Sequence, residues 1–325
     1  MSDAVKPSPT AEIAAIYRAG SAAYPPEQRG FEDPYAPHFI RSKVVRAGLR
    51  VPVVARSVSW GLDRLFAGMP GETVLRCRYS DDALRDARAE VGASQVIMLG
   101  SGYDASCVLH ASEGLTFFEV DQAETQRRKR EVLAEAAPPG SLDRVRFVPC
   151  DFTSDSIAER LLEHGFDSSA PCFANWMAVT FYIPRGAVEA TLREVARVAA
   201  PGSRIAFNYL HRDAFEGTLE NRAVARARKG VARRGEPWRF GIDPDEVEGW
   251  LRGLGYEVKD HITGAELGER YYPDGMPVSS ASFISLVTGE VSASLASSAR
   301  LARSSTIETQ SSVKNPNAPD AIDQT

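Results

Sequence analysis

The chain has 325 residues, of which 43% are hydrophobic and 25% charged, proportions ordinary for a soluble globular protein. Its formal net charge of −5 argues against a nucleic-acid binder held by phosphate contacts, and no apolar run approaches the roughly 20 residues a membrane span needs. Residues 1–10 read as a disordered N-terminus; Met1 to Pro7 shows no basic region followed by an apolar core, so no signal peptide is expected. Residues 11–78 read as a mostly helical cap, interrupted at Tyr24-Pro25-Pro26 and at Asp33-Pro34-Tyr35-Ala36-Pro37, where prolines favour turns.

From Ser80 the alternation becomes regular. Ser80 is expected to cap a helix through Val91 with Leu84, Ala87 and Val91 inward, and a strand follows over 95–99. Ala123 to Ala136 reads as a charged helix with Arg127-Arg128-Lys129-Arg130 mostly on solvent. Ser154 or Asp155 is expected to cap a helix burying Ile157, Leu161 and Leu162. A fourth strand over Cys172 to Met177 leads to a helix entered at Pro184, with Val188, Leu192 and Val195 at helical spacing. Ser203 to Tyr209 reads as a fifth strand. Asp243, Pro244 and Glu246 predict a capped helix to Leu254, closed by Gly255. Strands near 256–262 and 281–287, with no long helix between them, allow an antiparallel last pair and complete a seven-strand count. The segment 290–325 is rich in small and polar residues and reads as a disordered tail.

Three apolar runs end on candidate ligand-binding positions. Val96 to Leu99 breaks into Gly100-Ser101-Gly102, Leu115 to Val120 ends on Asp121, and Val145 to Val148 precedes Asp151-Phe152. Crevices beyond strand ends bind ligands in open α/β sheets, and this arrangement suits an adenosine with a charged tail. The third glycine of the dinucleotide fingerprint is missing, since Ala stands at position 105. An acidic residue ending the second strand is common to nicotinamide enzymes; the Asp151-Phe152 pair favours S-adenosylmethionine. Cys77, Cys107, Cys150 and Cys172 form no metal-ligand spacing and read as buried thiols of a cytoplasmic protein without structural metal.

Arg76 to Asp82, Leu99-Gly100-Ser101-Gly102-Tyr103-Asp104, Phe118 to Gln122 and Val148 to Phe152 together resemble the leucine carboxyl methyltransferase family, and the likeness continues through Phe181-Tyr182-Ile183-Pro184 and Gly235-Glu236-Pro237-Trp238. The resemblance implies a class I, Rossmann-like methyltransferase fold: an α/β protein with a seven-stranded sheet, helices on both faces and an antiparallel last strand, spanning residues 79–289 behind the helical cap. It also implies S-adenosyl-L-methionine as cofactor. By residue, it implies Arg76 on the methionine carboxylate, Gly100 and Gly102 beside the methionine portion, Asp121 on the ribose, Asp151 on the adenine amino group, and the Phe152 backbone on the adenine ring. Members that methylate a protein carboxyl terminus carry glutamate after the fourth strand; this chain has Met177. A protein-phosphatase substrate is therefore not expected.

The reading is thus a methyltransferase acting by carboxyl or hydroxyl O-methylation on a small molecule, with no nucleic-acid or membrane partner. A cofactor-binding protein without turnover and a nicotinamide oxidoreductase are the alternatives. His211, after the fifth strand, is the candidate base, and Tyr103, Met177 and Tyr182 are candidate pocket residues. Residues 212–240 hold many arginines and read as a lid-like insertion.

Overall fold

The computed structural model describes residues 9–152, 154–272, 274–275 and 279–293. Helices α1 (Pro9–Ser21), α2 (Ala36–Phe39), α3 (Lys43–Leu49) and α4 (Pro52–Leu65) form the cap and lead into α5 (Met69–Val91). From there strands and helices alternate: β1 (Gln95–Leu99), α6 (Ser106–Leu109), β2 (Thr116–Asp121), α7 (Ala123–Ala136), β3 (Val145–Pro149), α8 (Ile157–Glu163), β4 (Cys172–Trp176), α9 (Arg185–Val198) and β5 (Arg204–Leu210). After α10 (Arg212–Glu216), α11 (Arg222–Arg233) and α12 (Val247–Gly253) come β6 (Tyr256–Thr263), α13 (Gly264–Tyr271) and β7 (Ile284–Val291).

The seven strands form one sheet in the order β3-β2-β1-β4-β5-β7-β6. β1 to β5 pair in parallel, while β7 runs antiparallel to both β5 and β6. The strand period of two splits the apolar residues between two layers. Ile97, Leu99, Phe118 and Val120 pack under α8, α9 and α12; Val96, Met98 and Phe117 pack under α5 and α7. A parallel sheet covered on both faces explains why these strands are apolar throughout rather than alternating.

Several sequence expectations are corrected. α5 begins at Met69, with Pro70 in its first turn, and closes on Gly92 at φ 71°; Ser80 lies buried in its middle. The apolar stripe of Leu75, Tyr79 and Ala83 continues through that point against the sheet, so burial overrides the capping preference. The division at residue 78 therefore falls inside one helix. The cap of α8 is Ser156, whose hydroxyl accepts from Glu159 N, and Leu162 is exposed. Asp243 caps nothing: its carboxylate takes Arg212 Nε at 2.7 Å, Glu246 meets the same guanidinium, and α12 starts only at Val247. α13 does separate the last two strands, started by a Thr263–Glu266 capping box. Glu290 and Val291 belong to β7 rather than to a tail; α1 already includes Thr10. The remaining tail expectation, 294–325, and residues 1–8 lie outside the described residues.

His110 follows α6 and is held between two carboxylates, Asp81 Oδ1 at 2.8 Å from Nε2 and Glu113 Oε1 at 2.7 Å from Nδ1. Burial disfavours its protonation, yet Asp81 and Glu113 outweigh that and raise its pKa. A raised histidine stabilises fully below the unfolded pKa of about 6.5, and the contribution is lost as pH rises through the folded value. Urea midpoints are therefore expected to fall from mildly acidic to alkaline pH, less steeply in His110→Gln. Parallel curves for the two proteins would contradict this.

Candidate functional site

β1 ends at Leu99 and the chain turns at once through Gly100 (φ 61°) and Gly102 (φ 50°), left-handed conformations that favour glycine. A Cβ on Gly100 would stand 2.5 Å from Val179 Cγ2, whereas one on Gly102 would meet nothing closer than 3.4 Å. Asp121, ending the neighbouring β2, accepts from Gly102 N at 2.7 Å and from Gln122 N at 2.7 Å, one backbone amide on each oxygen. Burial pushes its carboxyl pKa up, against those two amides. The turn is also pinned from the cap: Arg18 of α1 donates to Tyr103 O at 2.6 Å and to Asp33 at 2.8 Å. Tyr103 stacks on Phe39 with centroids 4.8 Å apart.

A cavity of about 280 Å³ opens over these strand ends. The structure brings Arg76, Gly100, Gly102, Tyr103, Asp121, Phe152, Met177 and Tyr182 to its wall. Two expected residues are not there. Asp151 sits on an exposed turn where its backbone is engaged by Ser154 and Asp155, and Phe152 beside it takes the place in the wall. His211 is directed elsewhere, its Nε2 meeting Ser285 Oγ at 2.8 Å. The reason is the strand period: His211 follows Tyr209, which bonds His261, whereas Asn208 on the opposite face of β5 reaches Glu72 and Ala178. His211 is thus no candidate base for this cavity.

Other groups completing the site escaped the sequence reading. Glu72 of α5 is fully buried, pairing with Arg76 Nη1 at 2.7 Å and accepting from Asn208 Nδ2 at 2.8 Å. Asn208 Oδ1 accepts from Ala178 N at 2.7 Å, which holds Ala178 at φ 60°, an unfavourable region for a non-glycine residue. Ser101 Oγ and Asn175 Oδ1 are buried without a partner among the described residues, and both residues line the cavity. Unpaired buried polar atoms are rare in folded proteins and ask for an occupant that bonds them. A cradle of glycines, a strand-end carboxylate, a guanidinium and two orphaned polar atoms fit a nucleoside with a zwitterionic tail.

A second cavity of about 260 Å³ adjoins the first and shares Thr10, Ala14, Arg76, Ala178 and Tyr182 with it. It is apolar, walled by Ile13 and Ile16 of α1, Leu62 of α4, Phe66 and Phe181, with Val231 and Arg234 supplied by α11 and the residue after it. Burial pushes the phenol of Tyr182 well above its usual pKa, so it stays protonated. Cys77, also in the first cavity wall, is a neutral thiol whose pKa burial pushes up to about 12.

The family described as "Leucine carboxyl methyltransferase" matches residues 11–196. The Parafrankia sp. protein "Putative S-adenosyl-L-methionine-dependent methyltransferase Franean1_4929" is 31% identical over 274 residues, covering 83% of each chain. This chain belongs to the leucine carboxyl methyltransferase family. The Bacillus subtilis protein YktD, which bears the same descriptive name, is 29% identical over 201 residues, and the match spans 64% of its length. Among solved structures, a Streptomyces avermitilis "duf574 family protein" superposes with TM-score 0.56 at 15% identity over 86% of this chain and 97% of its own. A Thermobifida fusca protein described as a "putative methyltransferase" gives 0.55 at 18% identity over 90% and 97%. These two likenesses confirm the class I fold. The match to the leucine carboxyl methyltransferase family spans the glycine turn after β1, Asp121 and Met177.

The turn supports one prediction. Gly100→Ala is expected to destabilise by more than the roughly 1–2 kcal/mol of a left-handed backbone, because Val179 must also move. Gly102→Ala is expected to show the backbone cost alone. Urea denaturation of the pair checks this, and equal losses would refute the Val179 contact.

Proposed function

We propose that the chain is an S-adenosyl-L-methionine-dependent O-methyltransferase whose acceptor is a small, largely apolar carboxylic acid. The observation that carries this is the pair of adjoining cavities, one glycine-walled and lined by charged groups, one apolar, meeting at Thr10, Ala14, Arg76, Ala178 and Tyr182. In the first, Asp121 would hold the ribose hydroxyls, Arg76 the amino-acid carboxylate and the Phe152 backbone the adenine ring. The cofactor, when bound, supplies a methyl group activated on sulfur. The protein's part is to align the acceptor oxygen and keep water out; such positioning is worth about 7–11 kcal/mol.

Two features favour a carboxylate over a hydroxyl acceptor. Arg234 borders the apolar cavity as a cation, and a guanidinium matches a carboxylate. No histidine lines either cavity among the described residues, and an ionised carboxylate needs no base. The helix α11 would act as a lid over the chamber, so limited proteolysis of 212–240 should slow when cofactor is bound; unchanged cleavage would count against it.

Calorimetry with S-adenosylhomocysteine is the first test. Binding is expected, with Asp121→Asn weakening it by about 10- to 150-fold, the worth of a hydrogen bond to a charged group. Heat with NAD but not with S-adenosylhomocysteine would overturn the reading. S-adenosylhomocysteine release against a panel of hydrophobic acids and phenols then tests the acceptor. Binding with no turnover on either class would favour the holding function that Met177 raises.

A further inference from the structure

Nine large hydrophobic side chains are exposed among the described residues, and eight of them fall between Val44 and Leu65. Val44 is 81% exposed, Val53 73% and Trp60 54%. Helical geometry places those of α4 on its outward half. On α4, Val54, Val58 and Leu65 form one line and Val53 and Trp60 another, with exposed Ser57, Gly61 and Arg64 between them, while Ala55, Leu62 and Asp63 turn inward. α3 packs alongside, its Gly48 lying near Val54, and carries the exposed Val44 and Val45.

The charges of this surface have one sign. Lys43, Arg50, Arg56 and Arg64 are exposed, and Arg64 covers the Trp60 ring at 4.1 Å. The segment 43–65 contains a single acidic residue, Asp63, which is buried and accepts from Ser279 Oγ at 2.6 Å. The protein carries a net charge of −5, so this patch runs against the sign of the whole. A second copy seated symmetrically here would bring like charges together. An apolar stripe bordered by cations and an exposed indole suits a surface that is apolar below and anionic above.

We propose that the α3–α4 pair docks the protein on the surface of an anionic lipid bilayer. The sequence expectation of no membrane contact rested on the length needed to span; surface docking needs only a face. Leu62 and Phe66 on the inner side line the apolar chamber, so the docked helix is the wall between that chamber and the bilayer. The docking itself does not depend on the proposed acceptor.

The test uses the full chain and vesicles of phosphatidylcholine, with or without phosphatidylglycerol. Co-sedimentation is expected only with phosphatidylglycerol, weakening with salt. Tryptophan emission should shift to the blue, since Trp60 is exposed while Trp176 and Trp238 are buried. The double variant Val53→Asp/Val58→Asp is expected to bind at least about tenfold less, with its thermal midpoint and S-adenosylhomocysteine affinity unchanged. Absence of binding to phosphatidylglycerol vesicles would overturn the proposal. So would equal binding by the double variant, or a dimer in solution that the variant dissociates without any vesicle binding.

Discussion

Lys129→Met is expected to cost about 3–5 kcal/mol of unfolding free energy, the usual consequence of removing one partner of a buried ion pair. Lys129 Nζ lies 2.6 Å from Glu119 Oε2, and neither side chain has any exposure. Burial alone would lower the lysine's pKa, but Glu119 and other nearby acidic groups outweigh it and raise it. Left alone, Glu119 would be an unpaired buried carboxylate inside β2. The double variant Lys129→Met/Glu119→Leu should recover most of the loss, because the desolvation of both charges disappears together. Urea denaturation of the wild type, the two single variants and the double variant decides it. A double variant no more stable than Lys129→Met would show that the pair contributes more than mutual compensation. Since Glu119 stands two residues before Asp121, the single variant should also weaken S-adenosylhomocysteine binding.

Arg76→Met should produce a loss of similar size, about 3–5 kcal/mol, because it strands Glu72, which is fully buried. Asn208 Nδ2 would remain as a partner for Glu72, a neutral donor in place of a cation. Arg76→Lys separates the two roles proposed for this side chain. It keeps a positive charge near Glu72, so stability should largely survive. It lacks the planar fork that binds a carboxylate through two hydrogen bonds, so affinity for S-adenosylhomocysteine should fall by about tenfold or more. Equal affinity in Arg76→Lys and the wild type would remove Arg76 from the cofactor's carboxylate and leave it a structural role only.

Legibility in the sequence tracks the range of the interactions. The basic run on α7 looked like a solvated face, and for Arg127 it is one. Lys129 is the exception, because its partner Glu119 points into the helical layer from the strand below; nothing in the local pattern marks that. His211 failed as a candidate for a related reason. Its position after β5 was read correctly, but strand alternation assigned its side chain to the face with Tyr209 and Ser285. The Asp243-Pro244-Glu246 signal was defeated by Arg212, 31 residues away along the chain, which draws in both carboxylates.

The sequence by itself determined the alternation of strands and helices, the glycine turn after β1 and the acid ending β2. Each depends on periodicity or on backbone conformations that neighbouring residues dictate. Only the tertiary structure decided which side chains meet. Glu72 and Asn208 are 136 residues apart, and the apolar chamber draws its walls from α1, α4, α11 and the segment after β4. Those meetings follow from how the cap and the sheet bury their apolar faces against each other, which is a property of the packed chain and of no single segment.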